Sequence, residues 1–290
     1  MTTISAHHLD IDGRIGFVQE VVPARPNGTT LLLLHTAGQS GVQWRRTLVP
    51  LADLGYRLLV PDLPGHGHSE PHATGVVTDL AVYSDWCVTL LDRLAPDRLA
   101  PQQRTGDQPA ADRTVVVGCS IGGKVSQDLA ARHGHRFAAA VSMCAPPGPG
   151  KVKLHALRRE LEDSAAPART DRTFIGTQAV VGRAVDADRR DLIARMHCRE
   201  DPEVSGSDLI GWGTHDVREL LPTVPCPVTF VAGEDDLWVA PRTVAAAAQQ
   251  VPAGRYVLLE GYGHYPMEEM PEFAKVLDDW ISSMLQEVGA

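Results

Sequence analysis

Short runs of apolar residues alternate with amphipathic stretches along most of the 290-residue chain. "RIGFVQEVV" (14–22) predicts an early strand, and "TTLLLLHTAG" (29–38) a strand buried on both faces that ends in a loop. "VQWRRTLVPLADLG" (42–55) predicts a helix closed by Gly55, followed by a strand in "YRLLVPDLPG" (56–65). "VVTDLAVYSDWCVTLLDRLA" (76–95) predicts the next helix. "RTVVVGCS" (113–120) and "RFAAAVSMCAPP" (136–147) predict two more strands, with a helix from "GGKVSQDLAARHG" between them. The polar, Pro- and Gln-rich segment 95–113 between helix and strand predicts a surface loop. Continuous apolar strands alternating with helices imply an α/β fold, a mostly parallel sheet covered on both faces.

The rhythm changes after "APPGPG". From 151 to 221 the pattern holds no buried strand, only helical pieces. "KVKLHALRRELEDS" puts Leu154, Leu157 and Leu161 on one face, and "ADRRDLIARMHCRE" puts Leu192 with Met196. Strand and helix units then resume in "CPVTFVAGEDD", "RTVAAAAQQVP", "RYVLLEGYGH" and "MPEFAKVLDDWISSMLQEV". The arrangement predicts one core built from 1–150 and 222–290. A helical insertion at 151–221, after the sixth strand, would lie above the C-terminal edge of the sheet.

Composition narrows the function. Hydrophobic residues make up 43% and charged residues 22%, within the range of a globular protein with a sizeable core. A net charge of -9 offers nothing to nucleic acid or to an anionic membrane. No stretch reaches membrane-spanning length, and the N-terminus lacks a basic-then-apolar signal pattern. Five cysteines without a C-x-x-C pair suggest free thiols in a reducing compartment, so the expected location is the cytoplasm. Nothing in the sequence decides between a monomer and a homo-oligomer.

The chemistry centres on "VVVGCSIGG" (115–123). A buried strand runs into Gly-Cys-Ser-Ile-Gly and then a helix, the setting in which G-x-S-x-G forms a sharp elbow with the serine at its tip. Ser120 is that tip, and Cys119, one residue earlier, points elsewhere as a small packed thiol. A serine hydroxyl needs a base, and the base needs an orienting group. Two later strands end in suitable loops, "VTFVAGEDDLWVAP" with its acids and "YVLLEGYGHYPMEEMPE" with Gly-His. Chain order is then Ser120, Asp236, His264: nucleophile, acid, base. His66 and His68 in "DLPGHGHSE" are spaced as a metal pair, but no third ligand is near, so no metal is expected.

The stretches "LLLLHTAG", "DLPGHGHSE", "GCSIGG", "AGEDDLWVAP" and "GYGHYPMEEMPE" together resemble the α/β-hydrolase superfamily, and the resemblance covers nearly the whole chain. It implies a triad of Ser120, Asp236 and His264 under a cap, with the family's Gly-x-x-Asp spacing selecting Asp236 over Asp235. It also implies an oxyanion hole from the N–H groups of Ile121 and Ala37. One departure stands out: Thr36 follows His35 where many relatives carry glycine. Plant hydroxynitrile lyases of the same fold also carry His-Thr there, with the threonine hydroxyl on the substrate oxygen, but follow the catalytic histidine with lysine; here it is Tyr265. Thr36 is thus expected to donate a hydrogen bond to substrate. Trp238, Trp212, Phe174 and Met196 are candidates to line the pocket. The expected function is cofactor-free hydrolysis of an ester, lactone or activated ketone of a small molecule through an acyl-enzyme. The alternative is a lyase, acyltransferase or biosynthetic cyclase on the same scaffold. Serine at the elbow disfavours dehalogenase and epoxide hydrolase chemistry, whose enzymes place aspartate there.

Overall fold

The structure, a computed structural model, describes residues 1–94, 113–162 and 169–288. Most of the segment expected to loop between 95 and 113 lies outside these residues. Eight strands form one sheet in the order β1-β2-β4-β3-β5-β6-β7-β8. They are β1 (Thr3–Ile11), β2 (Arg14–Val22), β3 (Thr29–Leu34), β4 (Arg57–Asp62), β5 (Arg113–Cys119), β6 (Ala139–Met143), β7 (Val228–Gly233) and β8 (Gly254–Leu259). β1 pairs antiparallel with β2, and β2 with β4; every other pairing is parallel.

The all-apolar strands have a simple physical origin. Leu32, Leu34 and Val116 pack on one face against α2 (Leu80–Leu94), α3 (Ile121–His133) and α8 (Pro241–Ala248). Their neighbours Leu31, Leu33, Val115 and Val117 pack on the other face, against α1 (Leu48–Asp53) and α10 (Phe273–Val288). Alternate side chains thus enter two separate cores, and neither parity can be polar.

The structure adds one strand to the sequence reading and moves the bounds of two helices. β1 is a strand that the pattern did not reveal. Its inward residues are Ser5, His7, Leu9 and Ile11, too polar to stand out, and Ile4 faces solvent. The readable signal was the turn Asp12-Gly13, both at positive φ (53° and 77°), which a two-residue hairpin of this hand requires. The helix expected over 42–55 is split into a 3-10 turn at Gly41–Trp44 and α1, because Pro50 has no N–H to continue an earlier turn. The helix expected from Val76 begins at Leu80, where the Asp79 side chain accepts the Ala81 N–H at 3.0 Å.

Between β6 and β7 the described residues form α4 (Leu154–Glu162), α5 (Arg169–Val180), α6 (Ala187–His197) and α7 (Pro202–Thr214). On α6 the buried residues are Ile193, Ala194 and His197, while Leu192 is exposed. The expected Leu192–Met196 face is therefore rotated by one residue, because His197 is drawn inward by a buried carboxylate. No helix among the described residues is long and apolar enough to cross a membrane.

Candidate active site

The residues singled out in the sequence gather at the C-terminal ends of β3, β5, β7 and β8, where a parallel sheet places its loops around a crevice. Ser120 caps α3 with φ 57° and ψ -120°, a backbone region that costs a non-glycine residue about 1–3 kcal/mol. The surrounding glycines permit this bend. A Cβ on Gly118 would lie 2.0 Å from the Gly122 carbonyl oxygen, and one on Gly122 would lie 2.6 Å from the carbonyls of Leu34 and His35. The elbow is pressed against the end of β3 and holds Ser120 at the floor of a cavity of about 490 Å³.

His264 lines the same cavity. Its Nδ1 is 2.6 Å from Asp236 Oδ2, and both side chains are buried. Asp236 Oδ1 in turn accepts the N–H groups of Trp238 (2.8 Å) and Val239 (3.1 Å), which fixes the carboxylate on its loop. His264 Nε2 is buried without a hydrogen-bond partner among the described residues. Asp235 points away and pairs with Arg183. Cys119 also points away, its Sγ donating to the His264 carbonyl at 3.1 Å, and burial raises its pKa.

Ala37, Thr36, Trp212 and Trp238 line the cavity; Phe174 and Met196 do not. Phe174 instead lies under the Arg195 guanidinium. Ile121 is the first residue of α3, where a helix leaves its N–H groups without intrahelical acceptors, and its side chain is buried in the core. His35 orders the loop between β3 and the site. Its Nδ1–H donates to the Thr36 carbonyl (2.9 Å) and its Nε2 accepts the Leu63 N–H (3.0 Å). Burial and the neighbouring His66 lower its pKa to about 4, so it stays neutral. His66 and His68 do not converge on a common ligand. His66 Nε2 binds Asp208 at 2.8 Å, while His68 sits beside Asp62 at the surface.

Several residues of the site carried no motif. Asp208 of α7 accepts from the Gly38 N–H, His66 Nε2 and the Tyr83 hydroxyl at 2.7–2.8 Å, which ties the upper helices to the loop after β3. Lys124, one turn after Ser120, donates to the carbonyls of Gly148 (2.6 Å) and His215 (3.2 Å); burial lowers its pKa to about 7. Glu269 accepts the N–H groups of Gly263 (2.7 Å) and Tyr265 (2.9 Å), the two neighbours of His264, and so shapes the histidine loop. Glu268 is bound by His197, Gln43 and Arg45. The only sequence signal for the last two acids was their position directly after Gly-His in "GYGHYPMEE".

Burial alone would raise the pKa of Glu268, but His197, Gln43 and Arg45 outweigh it and hold the carboxyl below its ordinary range. A depressed carboxylate stabilises the fold above its unfolded pKa, and the contribution is lost as pH falls through the folded value. Glu268→Gln should therefore melt well below the wild type at neutral pH, with the gap closing below about pH 4. Thermal melts of both proteins from pH 7 to pH 3 test this. A gap that widens toward low pH would show that the carboxylate is not what Glu268 supplies.

A family model described as the alpha/beta hydrolase family matches residues 31–276. The chain belongs to that family. It is 30% identical over 271 residues to the pimeloyl-[acyl-carrier protein] methyl ester esterase of Aromatoleum aromaticum, covering 87% of this chain and 97% of that one. The Vibrio vulnificus protein of the same name is 24% identical, covering 84% and 91%. Among solved structures, the enol-lactonase of Burkholderia xenovorans superposes with a TM-score of 0.76 at 21% identity, covering 95% of this chain and all of that one. A thermophilic esterase of Thermogutta terrifontis gives 0.75 at 21% identity, covering 98% and 99%. These two likenesses establish the fold.

Proposed function

We propose that this alpha/beta hydrolase cleaves a carboxylic ester of a small molecule through an acyl-enzyme on Ser120, using only its own residues. The supporting observation is His264, whose Nδ1 is held by Asp236 while its unpartnered Nε2 belongs to the cavity that Ser120 also lines. In this reading Ser120 Oγ attacks the ester carbonyl and passes its proton to Nε2. Asp236 stabilises the imidazolium that forms. The N–H groups of Ile121 and Ala37 bind the oxyanion, and His264 returns the proton to the departing alcohol. Water, activated by the same imidazole, then releases the acid. The esterase names of the sequence relatives support ester hydrolysis. Helices α4–α7 act as the cap, because Leu157, Thr173 and Trp212 from them enclose the cavity above Ser120.

Labelling with a fluorophosphonate, followed by peptide mapping, tests the nucleophile. The label is expected on Ser120, and Cys119→Ala should retain labelling and turnover within a few-fold. A label on Cys119 would overturn the assignment.

A second reading, a non-hydrolytic reaction on the same scaffold, draws on Thr36. The Thr36 N–H donates to Gln43 Oε1 (2.9 Å), which fixes the orientation of that amide. Gln43 Nε2 then donates to Thr36 Oγ1 at 3.0 Å. With a lone pair so engaged, the Thr36 hydroxyl keeps its own proton to donate, and Thr36 lines the cavity. Thr36→Val removes that donor and keeps the shape. We expect kcat for esters to fall about ten- to a thousand-fold, up to the loss of a full oxyanion donor. Ester hydrolysis left intact beside loss of a lyase or transferase activity would favour the second reading.

A further inference from the structure

The cavity holds a second imidazole–carboxylate pair that the triad does not use. His197, at the end of α6, lies with its Nε2 3.0 Å from Glu268 Oε2 in α9 (Pro266–Glu269), and both side chains are buried. The proton positions follow from the partners. Gln43 Oε1 accepts the Thr36 N–H, so Gln43 Nε2 faces Thr36 Oγ1 (3.0 Å) and Glu268 Oε2 (3.1 Å), and its two hydrogens are used on these acceptors. His197 Nε2, 3.3 Å from the same amide nitrogen, then has only the carboxylate to bond, and it must donate. Arg45 balances the carboxylate from its other oxygen at 3.2 Å. Arg46 and Arg189 bind the Glu268 carbonyl, and the Tyr265 ring lies 4.2 Å from the imidazole.

With Nε2 given to Glu268, Nδ1 is the ring nitrogen left for a ligand. That nitrogen makes no hydrogen bond to the described residues, and His197 lines the cavity. We propose that His197 anchors the substrate: held by Glu268, its Nδ1 makes a hydrogen bond with a hydroxyl or amide carried by the ester. The inference rests on the ester-hydrolase reading and adds a substrate class to it, an ester with a hydroxyl or amide on its acyl chain. The same hub orients Thr36 as a donor, so Gln43 and Glu268 set two hydrogen-bonding groups on a cavity wall that also carries Thr173, Thr177 and Ser205 beside the apolar Val152, Leu209 and Trp238. A purely structural role, tying α6 to α9, would affect stability without distinguishing one ester from another.

The test uses binding, which does not depend on turnover. In full-length Ser120→Ala, quenching of Trp212 and Trp238 fluorescence reports occupancy by methyl hexanoate and by its 2-, 3- and 6-hydroxy derivatives. The best hydroxylated ester is expected to bind about three- to ten-fold more tightly than methyl hexanoate, the range of one neutral hydrogen bond. Adding His197→Phe should bring that ratio to about one. His197→Leu, which likewise offers no hydrogen-bonding atom, should do the same if the phenyl variant fails to fold. Equal binding of all four esters with His197 present, or a preference that survives both substitutions, overturns the proposal. A binding preference in a wild-type protein that leaves every ester intact would instead support the anchor and sink the ester-hydrolase reading.

Discussion

Ser120→Ala is expected to lower kcat for any ester substrate by about a million-fold while leaving the fold intact. The magnitude is that of removing the nucleophile from a working triad, where the residual rate comes from binding and oxyanion donors alone. The small serine side chain sits at a position whose backbone strain comes from the elbow, not from the hydroxyl. Alanine fits the same space, and no described hydrogen bond of the scaffold is made by Ser120 Oγ. Burst kinetics with a chromogenic ester and a circular dichroism melt measure the two halves of this expectation. Retention of more than one part in a hundred of the activity, with an unchanged melt, would remove Ser120 from the reaction. Cys119 cannot take over, because its Sγ lies on the other side of the strand end against the His264 carbonyl, where burial keeps the thiol protonated.

Asp236→Asn should cost about 10⁴ in kcat with little change in KM. The amide can turn its NH₂ toward His264 Nδ1, which would push the ring proton to Nε2 and leave no lone pair to accept the serine proton. Asp236 also holds the Trp238 and Val239 N–H groups through Oδ1. An asparagine retains that acceptor, so the loop and Trp238 should stay in place. Asp235→Asn is the control, since Asp235 faces Arg183 and solvent rather than the cavity. Steady-state kinetics on the pair decide it: a damaging Asp235→Asn beside a mild Asp236→Asn would show that the other acid supports the imidazole.

How much of this site the sequence disclosed depended on whether a residue's role is set by local backbone or by distant partners. Gly118, Ser120 and Gly122 were legible because one bend imposes their types within five positions. A Cβ at either glycine would strike backbone 2.0–2.6 Å away. Asp236 and His264 were legible because each follows the C-terminal end of a strand, and the parallel topology converts that linear position into a spatial one. The alternation of strands and helices determined the doubly covered sheet for the same reason, since each parity of β3 and β5 must be apolar to fill its own core.

The polar hub and the contacts that join α4–α7 to the core were not legible. Gln43 and Glu268 lie 225 positions apart, and His197 and Glu268 lie 71 apart, so no short window holds the pattern that joins them. Asp208, His66, Tyr83 and Gly38 likewise meet only after α7 packs over the sheet. Their value comes from burial, which makes an unpartnered polar group costly and a paired one selective. Periodicity also misjudged α6, where the attraction of His197 to a buried carboxylate turned the helix face that Leu192 and Met196 had suggested. By itself the sequence determined the sheet, the elbow and the order of serine, acid and histidine, because these are consequences of local geometry repeated along the chain. Only the tertiary structure decided which side chains face the cavity and which protons they carry, because those depend on hydrogen-bond partners that folding brings from opposite ends of the molecule.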